Sequence, residues 1–128
     1  MLDERIYQSY IGILKEEMIP AMGCTEPIAL AYGAARAREV LGKEPEHITA
    51  KCSGNIIKNV RCVIIPNSGG LTGIEAGVVL GAVAGDPSLN MEVLSKVNES
   101  ERKRCRELLD KKICKVELLD SPVVLHFI

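Results

Sequence analysis

Cys24 has the setting in this sequence that best suits chemistry. It lies in the run Pro-Ala-Met-Gly-Cys-Thr-Glu-Pro at positions 20–27, directly before a signal for the start of a helix. Thr25 is a good N-cap, and Glu26 and Pro27 are favoured in a first helical turn. The positive end of the helix dipole favours a thiolate over a thiol at such a position. Cys24 is therefore a candidate metal ligand or nucleophile, and a packed, inert thiol is the alternative.

A second polar group follows a predicted strand. Ser53, Gly54, Asn55, Lys58 and Asn59 bring hydroxyl, amide and ammonium groups to the end of that strand. Such groups could hold a small anion, for example a carboxylate. A polar turn without any ligand explains the same residues, and their spacing alone does not favour the binding site over the turn.

The composition narrows the class of protein. The 128 residues are enough for one domain with a core. The 16 basic and 17 acidic residues nearly cancel, so the net charge does not indicate binding to nucleic acid or to a membrane surface. Aromatic residues are scarce, so the core must be aliphatic. The absence of a visible secretion signal and of any C-x-x-C pair among five cysteines indicates reduced thiols in the cytoplasm. His47 and His126 are expected to be exposed rather than catalytic.

Four helices are predicted to position these groups. The first runs from 3 to about 19 after an Asp3 cap, and the second from 26 to about 41. The third runs from 71 to about 84, and the fourth from the cap-box pair Asn98 and Glu101 to about 112. The first helix has one apolar face, formed by Leu2, Ile6, Tyr10, Ile13, Leu14 and Met18.

Glycines recur at every fourth position around the third helix, at 69, 73, 77, 81 and 85. Positions four apart lie nearly above one another on a helix, so these glycines predict a groove that another backbone approaches closely. The loop at 66–70 precedes this helix, and its backbone amides are a further candidate for binding a substrate anion.

Alternating apolar and polar residues predict short strands at 47–53, 61–65, 114–118 and 123–128. Together with the helix patterns, they place Cys52, Cys62, Cys105 and Cys114 in the interior. Helices and strands alternate only irregularly along the chain. The predicted fold class is therefore α+β, with about four helices packed on a mixed sheet of about four short strands.

These segments occur in an order that resembles the N-terminal part of the L-cysteine desulfidase family. The resemblance rests on the run at 20–27, the run Ser-Gly-Asn-Ile-Ile-Lys-Asn at 53–59, the Ile65-Pro66 loop and Glu-Ala-Gly at 75–77 in the glycine-rich helix. That family of often uncharacterised proteins is related to the alpha domain of the iron–sulfur L-serine dehydratases. Because its members are much longer, residues 1–128 are expected to be a fragment, the N-terminal portion of one such domain.

The resemblance implies a lyase that converts L-cysteine to pyruvate, ammonia and hydrogen sulfide with a [4Fe–4S] cluster and without pyridoxal phosphate. It implies that Cys24 is one cluster ligand and that Ser53, Gly54, Asn55, Lys58 and Asn59 bind the substrate. Lys58 would pair with the substrate carboxylate or, less directly, act as the general base. The other four cysteines do not match cluster ligands, so the fragment alone is expected to be inactive.

Other functions agree with the same residues. The substrate could be L-serine, in which case water rather than hydrogen sulfide leaves. The chain could also be a non-catalytic module that binds an amino acid or a carboxylate, with Cys24 as a packed thiol. A third alternative is a structural domain in which the glycine stripe forms an oligomer interface, for example in a homodimer.

Overall fold

The computed structural model describes residues 3–128, and Leu2 of the predicted apolar face therefore lies outside the described residues. Within that range the chain forms five α-helices, one 3-10 helix and two paired strands. In chain order they are α1 (Glu4–Glu17), α2 (Thr25–Leu41), β1 (Ile48–Ser53), α3 (Gly54–Val60), α4 (Ile74–Ala84), the 3-10 helix (Pro87–Glu92), α5 (Glu99–Asp110) and β2 (Cys114–Leu119). The α+β class is confirmed, whereas the predicted four-stranded sheet is wrong.

The sheet consists of β1 and β2 in parallel, with Ile48 opposite Cys114 and Ser53 opposite Leu119. On the other edge of β1, residues 126–128 run antiparallel, and Phe127 forms an isolated bridge with Cys52. The predicted strand at 123–128 is thus reduced to a short antiparallel contact. The sheet itself is parallel, and each of its two strands contains six residues.

The predicted strand at 61–65 is wrong because the preceding residues form a helix. α3 follows β1 without a loop, and the Val63 N–H then donates to the Val60 carbonyl in a turn. Ile64 pairs only with Thr72, in an isolated bridge. Cys62 lies in the turn and is exposed, which corrects its predicted place in the core.

α2 and α4 pack closely along the glycines of α4. A β-carbon built on Gly77 would lie 3.6 Å from the Pro27 carbonyl oxygen. One built on Gly81 would overlap the backbone of Ala31. The predicted close neighbour is therefore α2. That contact requires glycine at Gly81, whereas at Gly77 the distance to α2 is an ordinary van der Waals contact. α4 begins at Ile74 rather than at 71 because Gly73 is its N-cap, with a φ of 92° that favours glycine.

α5 begins at the predicted capping box. The Glu101 N–H donates to Asn98 Oδ1, the Asn98 N–H donates to Glu101 Oε2, and both distances are 2.9 Å. Cys105 and Leu108 of this helix are buried against the core formed by α2 and α4. Among residues 3–128, no helix combines the length and apolar character that a membrane span requires.

α1 lies outside the core. The Asp3 carboxylate accepts from the Arg5 N–H at 2.8 Å, so the predicted cap is confirmed, and the helix ends at Glu17. None of its residues is buried, and Ile13 and Leu14 are 55% and 54% exposed. The apolar face predicted from the sequence therefore contacts solvent rather than the sheet.

Candidate functional site

Cys24 is the N-cap of α2. Its φ of −57° and ψ of 127° are non-helical, and its side chain makes no capping hydrogen bond. Thr25, the predicted N-cap, is instead the first residue of the helix. The thiol is exposed, so it lies free at the start of the helix, where the backbone N–H groups are unpaired.

The polar residues after β1 are on a helix and not in the predicted turn. Asn55, Lys58 and Asn59 are three and four positions apart, so α3 places them on one face. Lys58 and Asn59 are exposed, and Asn55 is half-buried. Helix formation thus gathers an ammonium group and two amides into one polar surface.

This polar face contacts the Cys24 segment. Asn59 Nδ2 donates to Glu26 Oε1 at 2.9 Å, and Glu26 lies in the first turn of α2, two residues after Cys24. A single hydrogen bond therefore joins two runs that are far apart in the sequence. Glu26 was predicted only as a favourable residue for a helix start, so its contact with Asn59 was missed, and no local pattern indicates it.

Ser53 and Gly54 do not join this surface. The Ser53 side chain is only 2% exposed, and its hydroxyl donates to the Val124 carbonyl at 2.7 Å. The Ser53 N–H donates to the His126 carbonyl. A β-carbon on Gly54 would lie 3.8 Å from the Leu118 side chain. Ser53 thus attaches the end of β1 to the residues near Ile128, and Gly54 has no side chain to offer a ligand.

The loop at 66–70 touches the Cys24 segment from another side, since a β-carbon on Gly23 would lie 3.7 Å from Pro66 Cγ. Its side-chain polar groups are used within the fold, and the anion site predicted for its backbone amides stays a prediction. Asn67 Nδ2 donates to the Leu94 and Val97 carbonyls, at 2.8 and 3.1 Å. The loop therefore supports the surface beside Cys24, and its own amide side chain serves packing rather than a ligand.

The remaining thiols have different surroundings. Burial raises the pKa of Cys105 and of Cys114 to about 11, and burial also raises the pKa of Cys52. These three thiols belong to the core, where Cys52 and Cys105 are buried and Cys114 is partly buried. Cys62 is exposed like Cys24. Among residues 3–128, no group of three or more His, Cys, Asp and Glu side chains is placed to hold a metal ion.

The two histidines lie apart from this surface. His47 is exposed ahead of β1, as predicted. His126 is half-buried rather than exposed, and its Nδ1 lies 2.8 Å from the Ser121 hydroxyl.

A small cleft of about 180 Å³ lies between α3 and α4. It is lined by Arg61 and Glu75, two residues that the sequence analysis did not connect with each other.

Comparison with known proteins gives relatives but no solved structure, and no family model matches the chain. A protein of Finegoldia magna is 54% identical over 114 residues, which cover 89% of this chain and 27% of that protein. A protein of Desulfitobacterium hafniense is 48% identical over 121 residues, covering 94% and 28%. One of Treponema denticola is 46% identical over 125 residues, covering 98% and 29%.

All three relatives are named UPF0597 proteins. The chain spans less than a third of the length of each of these UPF0597 proteins. The part of the predicted resemblance that is confirmed is the similarity to longer proteins of an uncharacterised family. The names of the UPF0597 proteins state no activity, substrate or cofactor, and they contain no reference to the serine dehydratases.

Proposed function

We propose that this chain is a segment of a cytoplasmic iron–sulfur lyase of the UPF0597 type that eliminates hydrogen sulfide from L-cysteine. The proposal includes a relationship between UPF0597 proteins, L-cysteine desulfidases and the alpha domain of the iron–sulfur L-serine dehydratases. Its main support is the hydrogen bond from Asn59 to Glu26, since it joins the cysteine run and the polar run on which the resemblance rests. Turnover would belong to a protein of the relatives' length.

Cys24 fits the role of a cluster ligand. Its thiol is exposed and makes no capping hydrogen bond, so the sulfur at the start of α2 is accessible to bind iron. When bound, a [4Fe–4S] cluster with one open iron would supply a Lewis acid for the leaving group. The further ligands would come from outside this chain. No pyridoxal phosphate is needed in this proposal.

Lys58 and its neighbours fit the role of a carboxylate site. No carboxylate among residues 3–128 forms an ion pair with the Lys58 ammonium, so its charge is available for a substrate carboxylate. The amides of Asn55 and Asn59 on the same face can donate to the same group. This arrangement would hold an amino acid beside Cys24, with Lys58 as the charge partner or, in a second version of the proposal, as the general base.

The reaction itself requires few protein groups. A base removes the α-proton of L-cysteine, and the carbon–sulfur bond breaks to release hydrogen sulfide. The remaining enamine takes up water and gives pyruvate and ammonia. With L-serine the same sequence releases water instead of hydrogen sulfide, so serine dehydration is the nearest alternative. A non-catalytic amino-acid or carboxylate module is a second alternative, but the packed Cys24 thiol expected for it is wrong, because this thiol is exposed.

The experiment compares this chain with a protein of the relatives' length that contains it. Both are reconstituted anaerobically with iron and sulfide, and then assayed for sulfide from L-cysteine and pyruvate from L-serine. Cys24→Ala should abolish iron uptake and turnover in the long protein, whereas Cys62→Ala, which removes another exposed thiol, should change neither. Lys58→Gln should raise KM more than it lowers kcat if Lys58 is the charge partner.

Two results would decide against the elimination of hydrogen sulfide from L-cysteine. If the long protein takes up no iron and Cys24→Ala changes nothing, the iron–sulfur chemistry is wrong. If L-cysteine then still binds and Lys58→Gln weakens that binding, the chain is an amino-acid binding module. Pyruvate from L-serine without sulfide from L-cysteine would instead identify a dehydratase.

A further inference from the structure

The edge of β1 that faces away from β2 is only partly paired. Successive strand residues direct their N–H and C=O groups to opposite edges. Ile48 donates to the Ile113 carbonyl on the β2 side, whereas the Lys51 and Ser53 N–H groups donate to the chain end. Thr49 is two residues before Lys51, so its backbone faces the same free edge, where no residue between 3 and 128 pairs with it.

The chain end sets a register for this edge. Lys51 and Ile128 exchange both backbone hydrogen bonds at 2.8 Å, and Cys52 lies opposite Phe127. Residues 126–128 thus run antiparallel to β1, in the direction of Ala50 and Thr49. In this register the first residue after Ile128 would lie opposite Ala50, and the second would exchange hydrogen bonds with Thr49.

The side chains of alternate residues at this edge point toward α2. The Phe127 ring packs on α2, because a β-carbon built on Gly33 would lie 2.5 Å from Phe127 Cε2. Opposite residues of an antiparallel pair share a face of the sheet. The first and third residues after Ile128 would therefore point to the same side as Phe127, over Ala50 and Ile48.

An apolar groove lies at that place. It has a volume of about 240 Å³ and begins at Phe127 and Ile128. The other residues that form it are apolar or small and come from α2, β1 and α4, among them Leu30, Ala34, Ala37, Ile48, Ala50 and Val78. No charged side chain lines it, so it is suited to aliphatic side chains.

We propose that an extended segment with apolar side chains at its first and third positions follows Ile128 in a protein of the relatives' length, pairs with residues 48–50 and fills this groove. Three observations support this occupant. The chain spans less than a third of its relatives, the pairing at 126–128 leads directly into the groove, and its register turns alternate side chains inward. The proposal does not depend on lyase activity.

The first test is hydrogen exchange of the Thr49 amide. In a protein of the relatives' length that contains this sequence, the amide should exchange about tenfold or more slowly than in the 128-residue chain. A tenfold change corresponds to about 1.4 kcal/mol, near the net free energy of one hydrogen bond. Equal exchange in the two proteins would overturn the proposal.

The second test concerns the register and uses two lengthened chains of equal composition. One ends Val-Thr-Val-Thr-Lys after Ile128 and places valines inward, and the other ends Thr-Val-Thr-Val-Lys and places threonines inward. Only the first should slow Thr49 exchange and raise the unfolding midpoint. Equal effects would contradict the register. If the unmodified chain protects Thr49 in proportion to its dimer fraction, the occupant is a second copy and the proposal is wrong.

Discussion

Replacing Gly81 by alanine should destabilise the fold, although alanine is the better helix former. The added β-carbon would lie within 2.6 Å of Ala31 Cα and 2.7 Å of its carbonyl carbon. These are backbone atoms, so relief requires α2 and α4 to move apart. Overpacking of this kind costs about 1–3 kcal/mol, and the backbone contact argues for the upper end. The higher helix propensity of alanine offsets about 1 kcal/mol.

The expected net loss is about 2 kcal/mol, which for a chain of this length lowers the unfolding midpoint by about 7 °C. Thermal and urea unfolding followed by circular dichroism measure it. Gly12→Ala is the matched control, because no atom lies within 4 Å of the new β-carbon on the exposed helix α1. It should not lower the midpoint. Gly33→Ala should fall between the two, since the group it meets is the movable Phe127 ring. A Gly81→Ala protein as stable as the parent would refute this reasoning.

Three further predictions follow from burial. Ile56→Ala should cost about 2–5 kcal/mol of unfolding free energy, because Ile56 is fully buried, whereas Ile13→Ala on α1 should cost less than about 0.5 kcal/mol. In the native protein, Cys24 and Cys62 should react with a thiol reagent before any other cysteine, because both are exposed. Burial raises the pKa of Cys105 to about 11, above the ~8.5 of a free thiol, so the folded state keeps a proton that the unfolded state loses. The unfolding free energy should therefore fall as the pH rises from about 8.5 to about 11.

Each of these has a clear contrary result. Equal losses for the two isoleucine variants would mean that α1 packs on the core in solution. The number of rapidly labelled thiols is compared between the parent and the variants Cys24→Ser and Cys62→Ser. If more than two thiols of the parent are labelled rapidly, the buried cysteines are accessible. If the unfolding free energy of Cys105→Ala falls as steeply with rising pH as that of the parent, the Cys105 thiol is not the cause of the fall.

Local chemistry made part of this fold predictable. The capping box of Asn98 and Glu101 involves residues three apart, and its hydrogen bonds are those that the sequence indicates. The stripe containing Gly77 and Gly81 indicated a close neighbour, since glycine inside a helix is otherwise unfavourable. It could not identify α2 as that neighbour, because the choice depends on the packing of distant segments.

The predictions from sequence are wrong where contacts between distant segments of the chain determine the local structure. Gly54 and Asn55 suggest a turn, but the buried Ile56 and Val60 are four residues apart and hold this segment as a helix against the core. The cost of burying Ser53 is offset by the Val124 carbonyl, seventy-one positions away. For the candidate site, residue types were predicted from the sequence, whereas the contact of Asn59 with Glu26 depends on where α2 and α3 meet.

The parallel pairing of β1 with β2 has a consequence for how the molecule forms. Helices α3, α4 and α5 all lie between the two strands in the chain, so the sheet closes a long loop and is expected to form late. The helices can pack earlier, because α2 and α4 meet without it. During synthesis on the ribosome, β1 would remain with both edges open until β2 emerges. Mutations that slow this step are expected to reduce the yield of folded protein more than its final stability.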